Sequence, residues 1–353
     1  MSTPSHPRAT RVSTDDISVV NASSHPSWRD QTYLLRPGPI RFTAFRLAVD
    51  EDLRICRWSY TGAARTFAHL AAGSLYVAFP KGEAMRVDGL PIDGDVVTLS
   101  LGAADYSGST LRDVACEEVL VTGQALEALL GGDDALREAL TARCGGRMSV
   151  MRAGRSALAL RESLRHALEA GAEGLAQTGM TQTGMAQTGL EDAAEQPIGA
   201  AFDALAWREA LTAGLRAMLP EALATEDLLA DRSGGRRHAL ARDAERLIWR
   251  RVASGDPGGL SLDELCAELG TTRRTLQLAF QDHFDTPVGI VTRSARLQRV
   301  RAELGSGAAP AVSEAAMRCG FEHLGRFARY YRDFFGESPS ATLRDRRRRD
   351  RAA

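Results

Sequence analysis

Arg273, Arg274, Gln277, Leu278 and Gln281 fall within one short stretch of the 353-residue chain. Spacings of three and four put Arg274, Gln277, Leu278 and Gln281 on one side of a helix. Arginine and glutamine present paired groups that match guanine and adenine edges two bonds at a time, and an exposed leucine can meet a thymine methyl. These side chains therefore suit recognition of base edges in a duplex. Some fifty residues later Arg326, Arg329 and Arg332 recur at three-residue intervals, threaded between Phe327, Tyr330, Tyr331, Phe334 and Phe335. Two readings of that second stretch compete: a core helix with a solvated back, or a helix whose arginine side touches a partner.

A helical wheel separates the faces. With about 100° per residue and Arg326 at zero, the five aromatics fall between roughly 40° and 180°, and Arg332 and Arg329 at roughly 240° and 300°. The aromatics are expected to be buried and the arginines outward. In the earlier stretch Leu276, Ala279, Phe280, His283 and Phe284 form the inward face, with His283 read as a core histidine.

The elements that must position these faces are legible. SLDELCAELGTTRRTLQLAFQDHF (Ser261–Phe284) reads as a helix opened by a Ser261–Glu264 capping box, a turn at Gly270, and a second helix capped by Thr272. VSEAAMRCGFEHLGRFARYYRDFFG (Val312–Gly336) repeats the pattern around Gly320. PVGIVTRSARLQRVRAEL (Pro287–Leu304) reads as a connecting helix with proline in its first turn. Two helix-turn-helix patterns at fixed separation are far more specific than one.

On these motifs, residues from about His238 to Leu343 resemble the DNA-binding domain of AraC/XylS-type transcription regulators. The stretch HLGRFARYYRDFFGESPSATL is most similar to the subgroup that includes ethanolamine-operon regulators. The resemblance implies two recognition helices entering successive major grooves about 34 Å apart. It implies double-stranded DNA and RNA polymerase as partners. Carried over by position, it implies base reading by Arg274, Gln277, Leu278 and Gln281, with Arg273 beside them. In the second unit it implies base reading by Arg326 and Arg329, with Arg332 on phosphate. Leu278, Glu322 and Gly325 depart from the family pattern, and Gly325 weakens base reading by the second helix.

The preceding residues have a different character. Residues 1–30 are polar and read as a flexible arm. Strand-like runs follow at Ile40–Val49, Leu53–Tyr60, Ser74–Pro80, Asp95–Leu101 and Glu117–Gly123, giving a β-rich domain over 31–123. The first run does not alternate cleanly, so it carries a bulge or is buried on both faces. Residues 124–235 read as a helical extension. Leu160, Leu164 and Leu168 form a stripe that either packs on the β-domain or makes a dimer seam. AQTGMTQTGMAQTGL (176–190) is a threefold pentapeptide repeat, read as a flexible loop. A helix is expected over Ala200–Leu219, a linker over Ala230–Arg237, the DNA-binding domain over 236–345 and a basic tail over 346–353. The fold class is thus α+β, an N-terminal β-rich domain with an all-α C-terminal domain. The resemblance implies that the β-rich domain is a cupin-like sensor for a small effector, or a dimerisation module. The implied activity is that of an activator, and ethanolamine, with or without a cobalamin, is the effector its subgroup suggests.

Composition bounds the alternatives. From Gly258 onward there are 16 arginines against 12 acidic residues, net +4, while the remainder carries −5. A locally basic C-terminal part fits an acidic partner. Lys81 is the single lysine. The five cysteines are scattered with no C-x-x-C pair, which suits a reducing cytoplasm and gives no support for a zinc site. No apolar run reaches membrane-spanning length, so no membrane partner is expected. A metal-dependent cupin enzyme would need clustered histidines. The β-region offers His69 without an H-x-H, so no catalysis, cofactor or metal is expected. A protein-interaction module without a small ligand is the other alternative. Trp58, Tyr76 and Phe79 are candidates for a pocket lining or for core.

Overall fold

The computed structural model describes residues 7–14, 28–34, 41–82, 85–92, 94–110, 112–177, 195–199, 202–230, 235–254 and 261–352. The chain divides into two units. Among the described residues the C-terminal unit takes in everything from 235 onward, together with Tyr33, Leu34 and Ala63–Arg65. The pentapeptide repeat beyond Gln177, residues 231–234 of the expected linker and residues 255–260 lie outside the described residues.

Apart from Tyr33, Leu34, Ala64 and Arg65, the strands belong to the N-terminal unit, where they form two sheets. The strands are β1 (Arg8–Thr14), β2 (Trp28–Leu34), β3 (Arg41–Ala48), β4 (Leu53–Thr61), β5 (Ala64–Leu70), β6 (Ser74–Gly82), β7 (Met85–Val87), β8 (Leu90–Ile92), β9 (Val96–Leu101), β10 (Ala104–Thr110), β11 (Val114–Thr122), β12 (Ser149–Arg152) and β13 (Gln196–Pro197). One sheet runs β12-β9-β6-β11-β4-β3-β1-β13 and the other β2-β5-β10-β7-β8. Tyr60 on β4 reaches across to Thr32 on β2, Oη to Oγ1 3.1 Å.

The reading of residues 1–30 as a loose arm is corrected here. Residues 8–14 form β1, in register with β3 from Arg8↔Ala48 to Thr14↔Phe42. Ala9, Thr10 and Val12 are buried there, so a polar-looking segment is fastened by a few small side chains. The irregular run at Ile40–Val49 is resolved as a strand buried on both faces. Phe42 and Ala44 turn to one side and Leu47 to the other, all three nearly inaccessible.

Helices α1 (Gly123–Leu130), α2 (Asp134–Cys144), α3 (Arg155–Gln177) and α4 (Ala204–Ala224) complete this unit. Leu160, Leu164 and Leu168 on α3 are fully buried in one core with Leu47, Ile55, Val77 and Val119. The leucine stripe is therefore consumed within the unit, which overturns its alternative reading as a dimer seam. Gly171 permits the close approach of α3, because a Cβ there would lie 2.7 Å from Leu47 Cδ2. Helix α4 continues past the expected end at Leu219, through Pro220, because Ala222 is still buried in the same core.

The C-terminal unit is helical: α5 (Arg236–Ser254), α6 (Leu262–Glu268), α7 (Arg273–Phe284), α8 (Val288–Ser306), α9 (Val312–Arg318), α10 (Leu324–Phe335) and α11 (Pro339–Ala352). Val291, Ala295, Val300 and Leu304 bury the inner face of α8. Glu303 on the same helix is buried and bonded by Arg299, Nε to Oε1 3.0 Å, with Arg318 of α9 3.5 Å away. The basic segment at 346–353 is not a separate tail, since it continues α11 to Ala352. Arg347 on that helix donates to the Pro310 carbonyl at 2.9 Å.

Candidate nucleic-acid interface

The first helix-turn-helix is set by local signals. Ser261 accepts from the Glu264 amide while Glu264 returns a bond to the Ser261 amide, closing the capping box. Gly270 takes φ +58°, a conformation that side chains disfavour, and so turns the chain between α6 and α7. Thr272 caps α7 by accepting from the Thr275 amide at 3.1 Å. Leu276, Ala279, Phe280, His283 and Phe284 are buried, which fixes the rotation of α7 and turns Arg274, Gln277, Leu278 and Gln281 outward.

Those outward side chains differ in what already holds them. Among the described residues Arg274 and Gln277 make no hydrogen bond or ion pair, and Leu278 is 37% exposed. Gln281 Nε2 donates to Asp285 Oδ1 at 2.7 Å. Arg273 is gripped through Nε and Nη2 by both carboxylate oxygens of Asp263 on α6. The Arg273 guanidinium holds the exposed Asp263 carboxyl below its ordinary range.

In the second unit Phe327, Tyr331 and Phe334 are buried and Gly320 takes φ +75°. The expectation of one buried aromatic face needs correction at two places. Tyr330 is exposed, with the Arg293 guanidinium 4.8 Å from its ring centroid, and Phe335 is half-buried beneath Arg301 at 4.6 Å. The wheel angle of Tyr330 sits at the edge of the apolar arc, where neighbouring helices decide burial. Arg326, Arg329 and Arg332 all face outward, Arg329 with Asp333 3.7 Å away.

Buried anchors align the two units. Leu276, Phe280 and His283 match Phe327, Tyr331 and Phe334, all offset by 51, whereas the turn glycines are offset by 50. The second turn is one residue longer, and its N-cap, His323, forms no side-chain cap bond. In this register Arg274, Gln277, Leu278 and Gln281 correspond to Gly325, Ala328, Arg329 and Arg332. The second outer face is thus small at its start and cationic beyond. Arg326 corresponds to Thr275.

The N-terminal unit holds a polar cluster that sequence reasoning missed. Glu118 on β11 is buried, and its Oε2 accepts from Trp58 Nε1 at 2.8 Å and from Tyr76 Oη at 2.9 Å. Burial pushes its carboxyl up to about 7, against the lowering effect of those two bonds and of Arg46. Ser100, opposite Tyr76 in register, points to the same face, and its buried Oγ has no partner among the described residues. Phe79, grouped with Trp58 and Tyr76 in the sequence, lies on the other face of the sheet in the helical core. Strand parity carried this signal: cross-strand partners Cys56 and Ala78 put Glu118 on the face of Trp58 and Tyr76. His69, the histidine of the metal alternative, is exposed and bonded to Asp105, Nδ1 to Oδ1 2.7 Å. No helix among the described residues is long and apolar enough to cross a membrane.

Residues 265–345 match the family model described as a helix-turn-helix domain. Over 87 residues, 24% of this chain, the sequence is 39% identical to a XylDLEGF operon transcriptional activator of Pseudomonas putida. Over a stretch of the same length it is 37% identical to a probable thc operon regulatory protein of Rhodococcus erythropolis. These stretches are 27% and 26% of the two relatives' own lengths, so the chain spans about a quarter of each. A solved probable AraC family transcriptional regulator of Rhodopseudomonas palustris is 35% identical, covering 31% of this chain and 97% of that one with a TM-score of 0.28. Residues 265–345 thus match a helix-turn-helix domain, and the relatives that share this stretch include a transcriptional activator.

Proposed function

We propose that the chain is a sequence-specific DNA-binding transcription regulator, an activator that contacts RNA polymerase and answers to a small effector held by a cupin-like N-terminal domain. The observation that carries the DNA-binding part is the outer face of α7. Arg274 and Gln277 are exposed and without partners among the described residues, beside an exposed Leu278. Their side-chain chemistry matches guanine, adenine and the thymine methyl. Arg273 and Gln281 join them on DNA by exchanging Asp263 and Asp285 for phosphate or base. In the second unit the small residues Gly325 and Ala328 leave Arg326, Arg329 and Arg332 to grip backbone and to read bases sparsely. The regulator works from the cytoplasm, where its scattered cysteines stay reduced.

The experiment is a selection of duplexes from a randomised pool by the full-length chain, followed by binding of single-base variants. Recovery of a defined sequence whose recognition depends on Arg274 and Gln277 supports the reading. Binding that is indifferent to sequence overturns it.

The effector part rests on the Glu118 face. A buried carboxylate beside Trp58 and Tyr76, with a Ser100 hydroxyl on the same face that has no partner among the described residues, suits a small polar ligand that donates hydrogen bonds. A thermal-shift screen of small polar compounds on the full chain tests it. Ligands that stabilise wild type but not Glu118→Gln support this assignment, and ligands that stabilise both equally place the effector elsewhere.

A further inference from the structure

Among the described residues, the C-terminal unit contains one arginine from far earlier in the chain. Arg65 and Glu245 of α5 are separated by 180 residues and are both almost wholly buried, with 2% and 1% of their side chains exposed. Arg65 Nε donates to Glu245 Oε1, and Arg65 Nη2 donates to Glu245 Oε2 at 2.9 Å, a two-pronged bond. The other face of the guanidinium lies against Phe284, with Cζ 3.5 Å from the ring centroid. Phe284 is the last residue of α7, and its ring packs edge-on against Phe280 at 5.0 Å. One cation thus joins the carboxylate of α5 to the C-terminal turn of α7. A second link involves Leu34, whose carbonyl accepts from Ser294 Oγ of α8 at 2.5 Å.

We propose that Arg65 is a positioning residue for α7, required for that helix to read DNA although it lies outside the helix-turn-helix segment. The physical case has two parts. An arginine stays charged at any accessible pH, so its burial demands a matched anion, and Glu245 supplies it in the planar geometry a guanidinium prefers. Removing Arg65 takes the two-pronged bond from a buried carboxylate, which a protein relieves by moving the helix that carries it. Helix α5 packs on α7, so that movement displaces the reading helix. The guanidinium over Phe284 adds a cation–π contact, and it sits at the negative end of α7 where positive charge is favoured. Neither Arg65 nor Glu245 falls within residues 265–345.

The inference rests on α7 being a DNA-reading helix, and the test separates the two ideas. The full-length wild-type chain selects its duplex from a random pool, and hydroxyl-radical footprinting maps the protected half-sites. The half-site of α7 is the one whose base preference changes with Gln277→Ala. Arg65→Ala is expected to bind roughly tenfold more weakly or worse. It should lose protection over the α7 half-site while keeping it over the other. The double variant R65M/E245M, which removes both charges together, is expected to restore that half-site. An unchanged footprint in Arg65→Ala overturns the proposal alone. Equal loss at both half-sites does so too, since a merely structural role would give that result, and so does a double variant as impaired as the single. A wild-type chain that selects no sequence overturns the reading of α7 and this proposal with it.

Discussion

Asp263 and Arg273 tie the opening turns of α6 and α7 together through two parallel hydrogen bonds. Both side chains are well exposed, so the pair is open to exchange. The arginine that opens α7 is therefore held by an anion of its own chain, which a phosphate would have to displace if α7 reads DNA as proposed.

Replacing Asp263 by Ala should free Arg273 for DNA. The expected outcome is tighter binding at low salt, with a plot of log affinity against log salt steeper by up to about one counterion. Titrating the variant and wild type across salt concentrations checks this. Identical slopes would mean that Arg273 stays away from phosphate.

Gln277→Ala and Arg274→Ala should each cost about 1–3 kcal/mol of discrimination at one base position, with little change in binding to unrelated DNA. Competition between the selected duplex and its single-base variants measures it. Uniform weakening across all duplexes would put these side chains on the backbone instead.

Arg332→Ala should behave in the opposite way. Binding should weaken evenly across sequences, and the salt slope should become shallower by about one. A loss confined to one base position would make Arg332 a reader.

Glu118 gives a pH signature. Its folded carboxyl sits near 7, above the model-compound value of 4.5, so the folded chain holds a proton that the unfolded chain has released between those limits. Its contribution therefore favours folding at low pH and is lost as pH rises through that window. The total is on the order of 3 kcal/mol. The facing groups are Trp58, Tyr76, Arg46, Cys56 and Cys116, and burial beside Glu118 pushes both cysteines well above their usual range. Gln cannot ionise, so the melting temperature of Glu118→Gln relative to wild type should climb from pH 5 to pH 8. A constant difference would contradict the raised carboxyl.

The helix-turn-helix units were legible because their signals are local. The Ser261–Glu264 box, the turns at Gly270 and Gly320 and the three-and-four spacing of Leu276, Phe280 and Phe284 each act over a few residues. Five of the strands were legible for the same reason, through short apolar runs bounded by glycine, proline and aspartate. What escaped depends on partners distant in the chain. Strand β1 was hidden because its fastening residues are small, and its anchoring comes from register with β3. Tyr330 was misplaced because it lies at the edge of an apolar arc. The leucine stripe on α3 was ambiguous because a helix face carries no mark of which surface will cover it.

The sequence by itself determined the type of the elements from α6 to α10, the rotation of α7 about its axis and hence which of its side chains face outward. Periodicity and capping suffice for that, since they are properties of neighbouring residues. Only the tertiary structure decided which outward groups are already held, as Arg273 is by Asp263 and Gln281 by Asp285. It alone brought Glu118 between Trp58 and Tyr76, and Arg65 between Glu245 and Phe284. Those meetings join residues 42 to 219 positions apart. A buried charge finds its partner through the packing of whole elements, which no local pattern records.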